Sequence, residues 1–171
     1  YTCGEKVYAG IFYEEFKGNL DRWNIVSGTW LIENEELKQT NTATEAFIFA
    51  GRTAWANYTA EAKVKIVSEG TGGRNSGLIF RATDQNNLYL FTLSRDQNKV
   101  FLYKRVAGTW TELSSTPFSV QLNTTYRLRV EVLGSGMRCY VDDSLKIEAI
   151  DNQFSTGKIG FRTLNVHAGF D

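Results

Sequence analysis

Arg81 stands inside an apolar run, Gly77-Leu78-Ile79-Phe80-Arg81-Ala82, and its setting calls for an explanation in chemical terms. An unpaired guanidinium is costly to bury, so Arg81 must reach an acid such as Asp84 or Asp96, or face a wet surface where something binds. The block around it, residues 75–105, reads as three strand-like runs separated by turn clusters rich in Asp, Gln and Asn. A fork of donors beside a carboxylate and a flat ring is what a sugar requires, because a sugar offers hydroxyl edges and a C–H face. Tyr103 lies in the third run, and four tryptophans add further stacking surface. Trp55, in Arg52-Thr53-Ala54-Trp55-Ala56, falls in a loop-like stretch and is the best exposed candidate among them. Trp30 and Trp110 each follow Gly-Thr at a strand start and are expected to pack inward or against an edge.

Other chemistry is sparse. The one histidine, His167, has no neighbouring motif, so no Ser-His-Asp, Cys-His or zinc-protease set can be assembled. Asp142-Asp143 reads as a tight hairpin turn, where Asp is simply a good turn former. Cys3 and Cys139 are too few for a zinc site; they form either one disulfide tying the N-terminal segment to a core strand or two unrelated thiols. Asn57-Tyr58-Thr59 and Asn123-Thr124-Thr125 satisfy the N-glycosylation acceptor pattern. The chain is expected to bind rather than to catalyse.

The elements that would position these residues are strands. Ala60, Ala62, Val64 and Ile66 alternate with Glu61, Lys63 and Lys65, and Tyr126, Leu128, Val130 and Val132 alternate with Arg127, Arg129 and Glu131. Each such strand has one wet face. Residues 88–93 and 100–103 are instead apolar or aromatic on both sides, as in central strands whose outer face is covered or forms a groove. Turn clusters recur at short intervals, and the single proline, Pro117, suits uninterrupted ladders. The pattern predicts an all-β, two-sheet antiparallel sandwich.

Composition narrows the partners. Nineteen Lys plus Arg balance nineteen Asp plus Glu, with no basic tract to follow a phosphate backbone, so nucleic acid is not expected. The apolar runs are too short to cross a bilayer, and membrane insertion is not expected either. A first residue Tyr1 and a lone Met137 mark either a processed mature product or a piece of a longer protein; export followed by processing is the preferred reading, hence a secreted or cell-surface location.

The order of several short pieces resembles the concanavalin A-like, laminin-G-like jelly rolls. These pieces are Phe12-Tyr13-Glu14-Glu15-Phe16, Leu20-Asp21-Arg22-Trp23, Gly28-Thr29-Trp30, the Arg81 run through Asp84, Tyr140-Val141-Asp142-Asp143, Gly157-Lys158-Ile159-Gly160-Phe161-Arg162 and Phe170-Asp171. Within that group the chain looks most like the fructan-binding carbohydrate modules of secreted levanases. The resemblance implies a jelly roll over residues 12–171, with a polysaccharide or cell-surface glycan on a concave sheet face or its rim. It carries over Arg81 and Asp84 as donor and acceptor, Tyr89 as a platform alongside Tyr103, and Arg162 as a further ligand contact. It also implies a structural calcium held by Glu14 or Glu15 with Asp171, since calcium wants several oxygens at once. Glucanases of this fold carry alternating acids on one strand; Glu33-Asn34-Glu35-Glu36 is the nearest approach, but it reads as a turn.

Residues 1–11 have no counterpart in that pattern. They read as an N-terminal extension supplying an extra or exchanged strand, which gives a second expectation: a surface or filament subunit that self-assembles through this segment. A glycoside hydrolase or lyase on the same fold is the third.

Overall fold

A computed structural model describes residues 12–171; the segment 1–11, with its expected exchanged strand and with Cys3, lies outside the described residues. The described residues form fourteen strands, and no helix among them is long and apolar enough to cross a membrane. Numbered in chain order, one sheet runs β1 (Trp23–Ser27), β4 (Glu45–Ala50), β13 (Lys158–Leu164), β6 (Asn75–Asp84), β7 (Asn87–Ser94), β8 (Lys99–Val106), β9 (Thr109–Pro117). The other runs β12 (Ser144–Ile150), β11 (Gly136–Val141), β10 (Thr125–Leu133), β5 (Tyr58–Glu69), β14 (Val166–Phe170), β3 (Glu36–Gln39), β2 (Trp30–Glu33). The pairings are antiparallel throughout, so the two-sheet sandwich expected from the alternation is the one that forms.

Side-chain period explains which face each strand buries. β5 sends Ala60, Ala62, Val64 and Ile66 into the space between the sheets, and β10 sends Tyr126, Leu128, Val130 and Val132 to meet them. β7 is buried from Leu88 to Ser94 because its two faces serve two different cores. Tyr89, Phe91 and Leu93 point between the sheets, whereas Leu88 and Leu90 join Phe47, Phe49, Ile79 and Ala82 in a second cluster. That second cluster lies on the outer face of the first sheet, and an outer face can bury phenylalanines only if something covers it.

The cover comes from curvature. Arg105 on β8 and Phe47 on β4 are four strand spacings apart, about 19 Å on a flat sheet. The Arg105 guanidinium carbon nevertheless lies 5.5 Å from the Phe47 ring centre. Arg162 on β13 and Trp110 on β9 are equally far apart in the sheet order and approach to 5.1 Å. The sheet therefore curls on itself with this outer face concave. Part of the bend is at Arg81, a left-handed residue (φ +46°) where the β6–β7 register slips between Phe80 and Asp84. Gly157 passes close behind it: a Cβ there would lie 2.3 Å from the Arg81 carbonyl carbon, so any larger residue would push the strand away.

Candidate functional site

Arg81 finds neither of the settings expected for it. It is 1% exposed, and its guanidinium meets no acid among the described residues. Instead Nε and Nη2 donate to the Ala56 carbonyl at 3.1 and 3.0 Å, and Nη1 donates to the carbonyls of Gly134 at 2.6 Å and Phe154 at 3.3 Å. Three carbonyls distribute the charge without the desolvation of a carboxylate, which is why a buried arginine is tolerated here. Its backbone N–H donates to the Tyr58 hydroxyl at 2.7 Å. Arg81 thus fastens three loops to the bend of β6 and presents no donor to a ligand.

Its two expected companions also have structural positions. Asp84 is exposed, and its Oδ1 accepts the Asn86 N–H at 2.7 Å, closing the β6–β7 turn. Tyr89 is fully buried, with its ring stacked on Phe80. The Tyr89 hydroxyl donates to Asp151 Oδ1 at 2.6 Å, while Lys104 holds the other Asp151 oxygen at 2.6 Å. Burial, together with the Asp151 contact, pushes the Tyr89 hydroxyl up to about 12. These residues pin one end of the sandwich rather than open a pocket.

The concave face holds a different set. Register places Arg162 between Phe47 of β4 and Gly77 of β6, on the side opposite the buried Phe161. Arg162 is 7% exposed; Nε and Nη2 both donate to Glu45 Oε1, at 3.1 and 2.8 Å, and Nη1 donates to Asn75 Oδ1. Burial lowers its pKa, and the Glu45 carboxylate beside it opposes that shift. On β8, alternate residues Phe101, Tyr103 and Arg105 face the same way; Phe101 and Tyr103 stack at 5.0 Å, and Trp110 meets Tyr103 edge-on at 5.9 Å. The Trp110 ring lies under two guanidiniums, Arg105 at 4.9 Å and Arg162 at 5.1 Å.

Several polar groups on this face have no hydrogen-bond partner among the described residues. Arg105 uses Nε on the Gly108 carbonyl and Nη1 on the Gln85 carbonyl, leaving Nη2 unused. Glu45 Oε2, the Tyr103 hydroxyl and the Trp110 indole N–H likewise make no hydrogen bond among the described residues. None of the four is among the buried unpartnered atoms, so each opens to solvent. Two donors, an acceptor and a hydroxyl beside stacked rings form the mixture that holds a sugar by its hydroxyl edge and its C–H face.

Of the residues singled out from sequence, the structure brings Tyr103 and Arg162 together here. Trp55 is elsewhere, half-buried against Gly51 and edge-on to Phe12 and Tyr58. Glu14, Glu15 and Asp171 do not converge: Glu14 accepts the Phe16 N–H at 3.0 Å, Glu15 pairs with Lys17 at 3.0 Å and Asp171 with Lys63 at 2.5 Å. No three His, Cys, Asp or Glu side chains group among the described residues, so this donor set does not fit calcium. Cys139 is fully buried, and burial drives its thiol far above the ordinary range. Asn57 and Asn123 are exposed, the first with its amide oxygen accepting the Gly134 N–H at 2.9 Å. His167 lies on β14 of the opposite sheet, where burial lowers its pKa and Nε2 is buried without a hydrogen-bond partner among the described residues.

Glu45, Asn75 and Arg105 were not singled out from sequence, and Trp110 was expected only to pack inward or against an edge. One signal was available: Phe101, Tyr103 and Arg105 recur at period two, and the Ala107-Gly108 turn returns Trp110 opposite Arg105.

Comparison with known proteins agrees with this architecture. Residues 14–169 match the family model described as a 3-keto-alpha-glucoside-1,2-lyase-like domain. A levanase of Bacillus subtilis (strain 168) is 29% identical over 156 residues, an alignment covering 91% of this chain and 23% of the levanase. The chain therefore spans less than a quarter of that relative's length. The carbohydrate binding module CBM66 from Bacillus subtilis superposes with a TM-score of 0.81 at 27% identity, over 88% of this chain and 92% of that one. A Bacillus licheniformis beta-glucanase gives a TM-score of 0.70 at 16% identity, over 93% and 94% of the two chains, a likeness of fold alone. The jelly roll expected from the sequence is the shared architecture.

Proposed function

The chain belongs to the 3-keto-alpha-glucoside-1,2-lyase-like domain family, and from that premise we propose that it is a non-catalytic carbohydrate-binding domain acting outside the cell on a polysaccharide or cell-surface glycan. The ligand lies on the concave face of the first sheet. One observation carries this: Arg105 Nη2, Glu45 Oε2, the Tyr103 hydroxyl and the Trp110 indole N–H are solvent-open and unpartnered around stacked rings. The similarity to a carbohydrate binding module supports it.

Calorimetric titration with soluble polysaccharides, levan included, tests the reading. Saturable binding is expected, reduced at least about tenfold by Trp110→Ala, the effect of one aromatic platform. Undiminished binding by a folded Trp110→Ala protein would move the ligand elsewhere.

The family description and the beta-glucanase likeness motivate a catalytic alternative. We favour binding because the nearest carboxylate, Glu45, is tied to Arg162 and the one histidine lies on the other sheet. Turnover of a bound polysaccharide that disappears in Glu45→Gln would establish the catalytic alternative.

A further inference from the structure

Charge on the concave face is unevenly matched. Arg162 takes both of its Glu45 contacts from a single oxygen, and Arg105 approaches the same oxygen to 3.8 Å without a hydrogen bond. Two guanidiniums thus share one carboxylate. Lys99 adds a third cation on the same side of β8, over the Phe101 ring at 5.6 Å. Glu112, opposite Tyr103 on the edge strand β9, is exposed at the rim. Asp96, at the end of the sheet, is taken up by the Arg74 N–H at 2.8 Å and the Ser94 hydroxyl at 3.1 Å. The centre of the face is therefore cationic, ringed by Phe47, Phe101 and Trp110, where the local dielectric is low and an added negative charge interacts strongly.

Resting on the carbohydrate reading above, we infer that the ligand is a negatively charged saccharide whose carboxylate or sulfate is received by Arg105 Nη2. The anion supplies the second negative charge that the two guanidiniums lack. The sugar ring beside it stacks on Trp110 and Tyr103, and its hydroxyls use Glu45 Oε2. A neutral sugar in the same place would occupy the rings and leave Arg105 facing water.

The test measures binding to matched pairs that differ only in charge: polygalacturonate and its fully methyl-esterified form, dextran sulfate and dextran, with levan as a further neutral polymer. The charged member of a pair is expected to bind at least about tenfold tighter, as one charge-assisted hydrogen bond implies. That preference is expected to shrink as salt rises from about 50 to about 500 mM, because the charge contact is partly screened. Arg105→Gln is expected to bring the ratio below about twofold, consistent with loss of that contact. The uronate and sulfate pairs separate the two anion chemistries. Equal or tighter binding of the neutral members, or a preference insensitive to salt in the unmodified protein, overturns the anionic specificity and leaves the carbohydrate reading standing. Binding to no member of the set overturns both.

Discussion

Arg162 closes on one oxygen of Glu45 across the β4–β13 pairing, with Nη2 at 2.8 Å and Nε at 3.1 Å, and leaves the other oxygen open. A fork that took both oxygens would have neutralised the carboxylate and sealed the face. Taking one keeps an acceptor available in the middle of an aromatic surface.

Glu45→Gln keeps the shape of that contact and removes its charge, leaving Arg162 buried as an unpaired cation. Because Glu45 itself is partly exposed, the expected loss is about 1–3 kcal/mol in urea unfolding rather than the full cost of a deeply buried pair. Arg162→Met in the Glu45→Gln background should recover part of it, with a coupling of about 1 kcal/mol. Strictly additive losses would show that the pair does not stabilise the fold.

Arg81→Met is expected to lower stability by about 3 kcal/mol, since the carbonyls of Ala56, Gly134 and Phe154 lose their common donor. Sugar affinity of the remaining folded protein should be unaltered. A weakened affinity with an unmoved urea midpoint would return Arg81 to the binding site.

Asp151 gives the acid limb of stability a specific origin. Burial works to raise its pKa from 3.8, but hydrogen bonds from Lys104 and Tyr89 outweigh it and hold the carboxyl low. The unfolded chain then binds more protons than the folded one between the two values, so this contribution is present above the unfolded pKa and is lost as pH falls through the folded one. Asp151→Asn should flatten the acid arm of a pH–stability curve below about pH 4. An unchanged slope in that arm would contradict the assignment.

On the alkaline side, burial pushes the hydroxyls of Tyr58 and Tyr89 up to about 12 from 10.0. Stability from these groups is intact below the unfolded value and falls as pH rises from about 10 towards about 12. Tyr89→Phe should shift the loss on that limb towards higher pH. Ultraviolet titration of the folded protein showing these two phenols ionising near pH 10 would refute it.

Much of the sandwich was legible because period-two alternation decides which face a residue occupies. β5 and β10 follow it closely, and the doubly apolar β7 correctly implied a covered outer face. The site was less legible for a physical reason. Arg105 reaches Phe47, and Trp110 reaches Arg162, only because the sheet curls across four strands, and no local spacing encodes that curl. Arg81 was conspicuous as a charge in an apolar run, but its carbonyl partners come from residues 56, 134 and 154, which carry no side-chain signal at all. Trp55 looked exposed from its loop-like neighbours, whereas Gly51 makes room for its ring beneath the loop.

The indole N–H resonances offer the most direct test of where the sugar lies. Trp30 donates to the Ser27 carbonyl at 2.7 Å and Trp23 to Glu14 at 3.4 Å, while Trp55 sits away from the concave face and Trp110 on it. In a ¹H–¹⁵N spectrum recorded while a bound saccharide is titrated in, the Trp110 indole signal should move to saturation and the other three should stay. Movement of the Trp55 signal with Trp110 unperturbed would contradict the concave-face site.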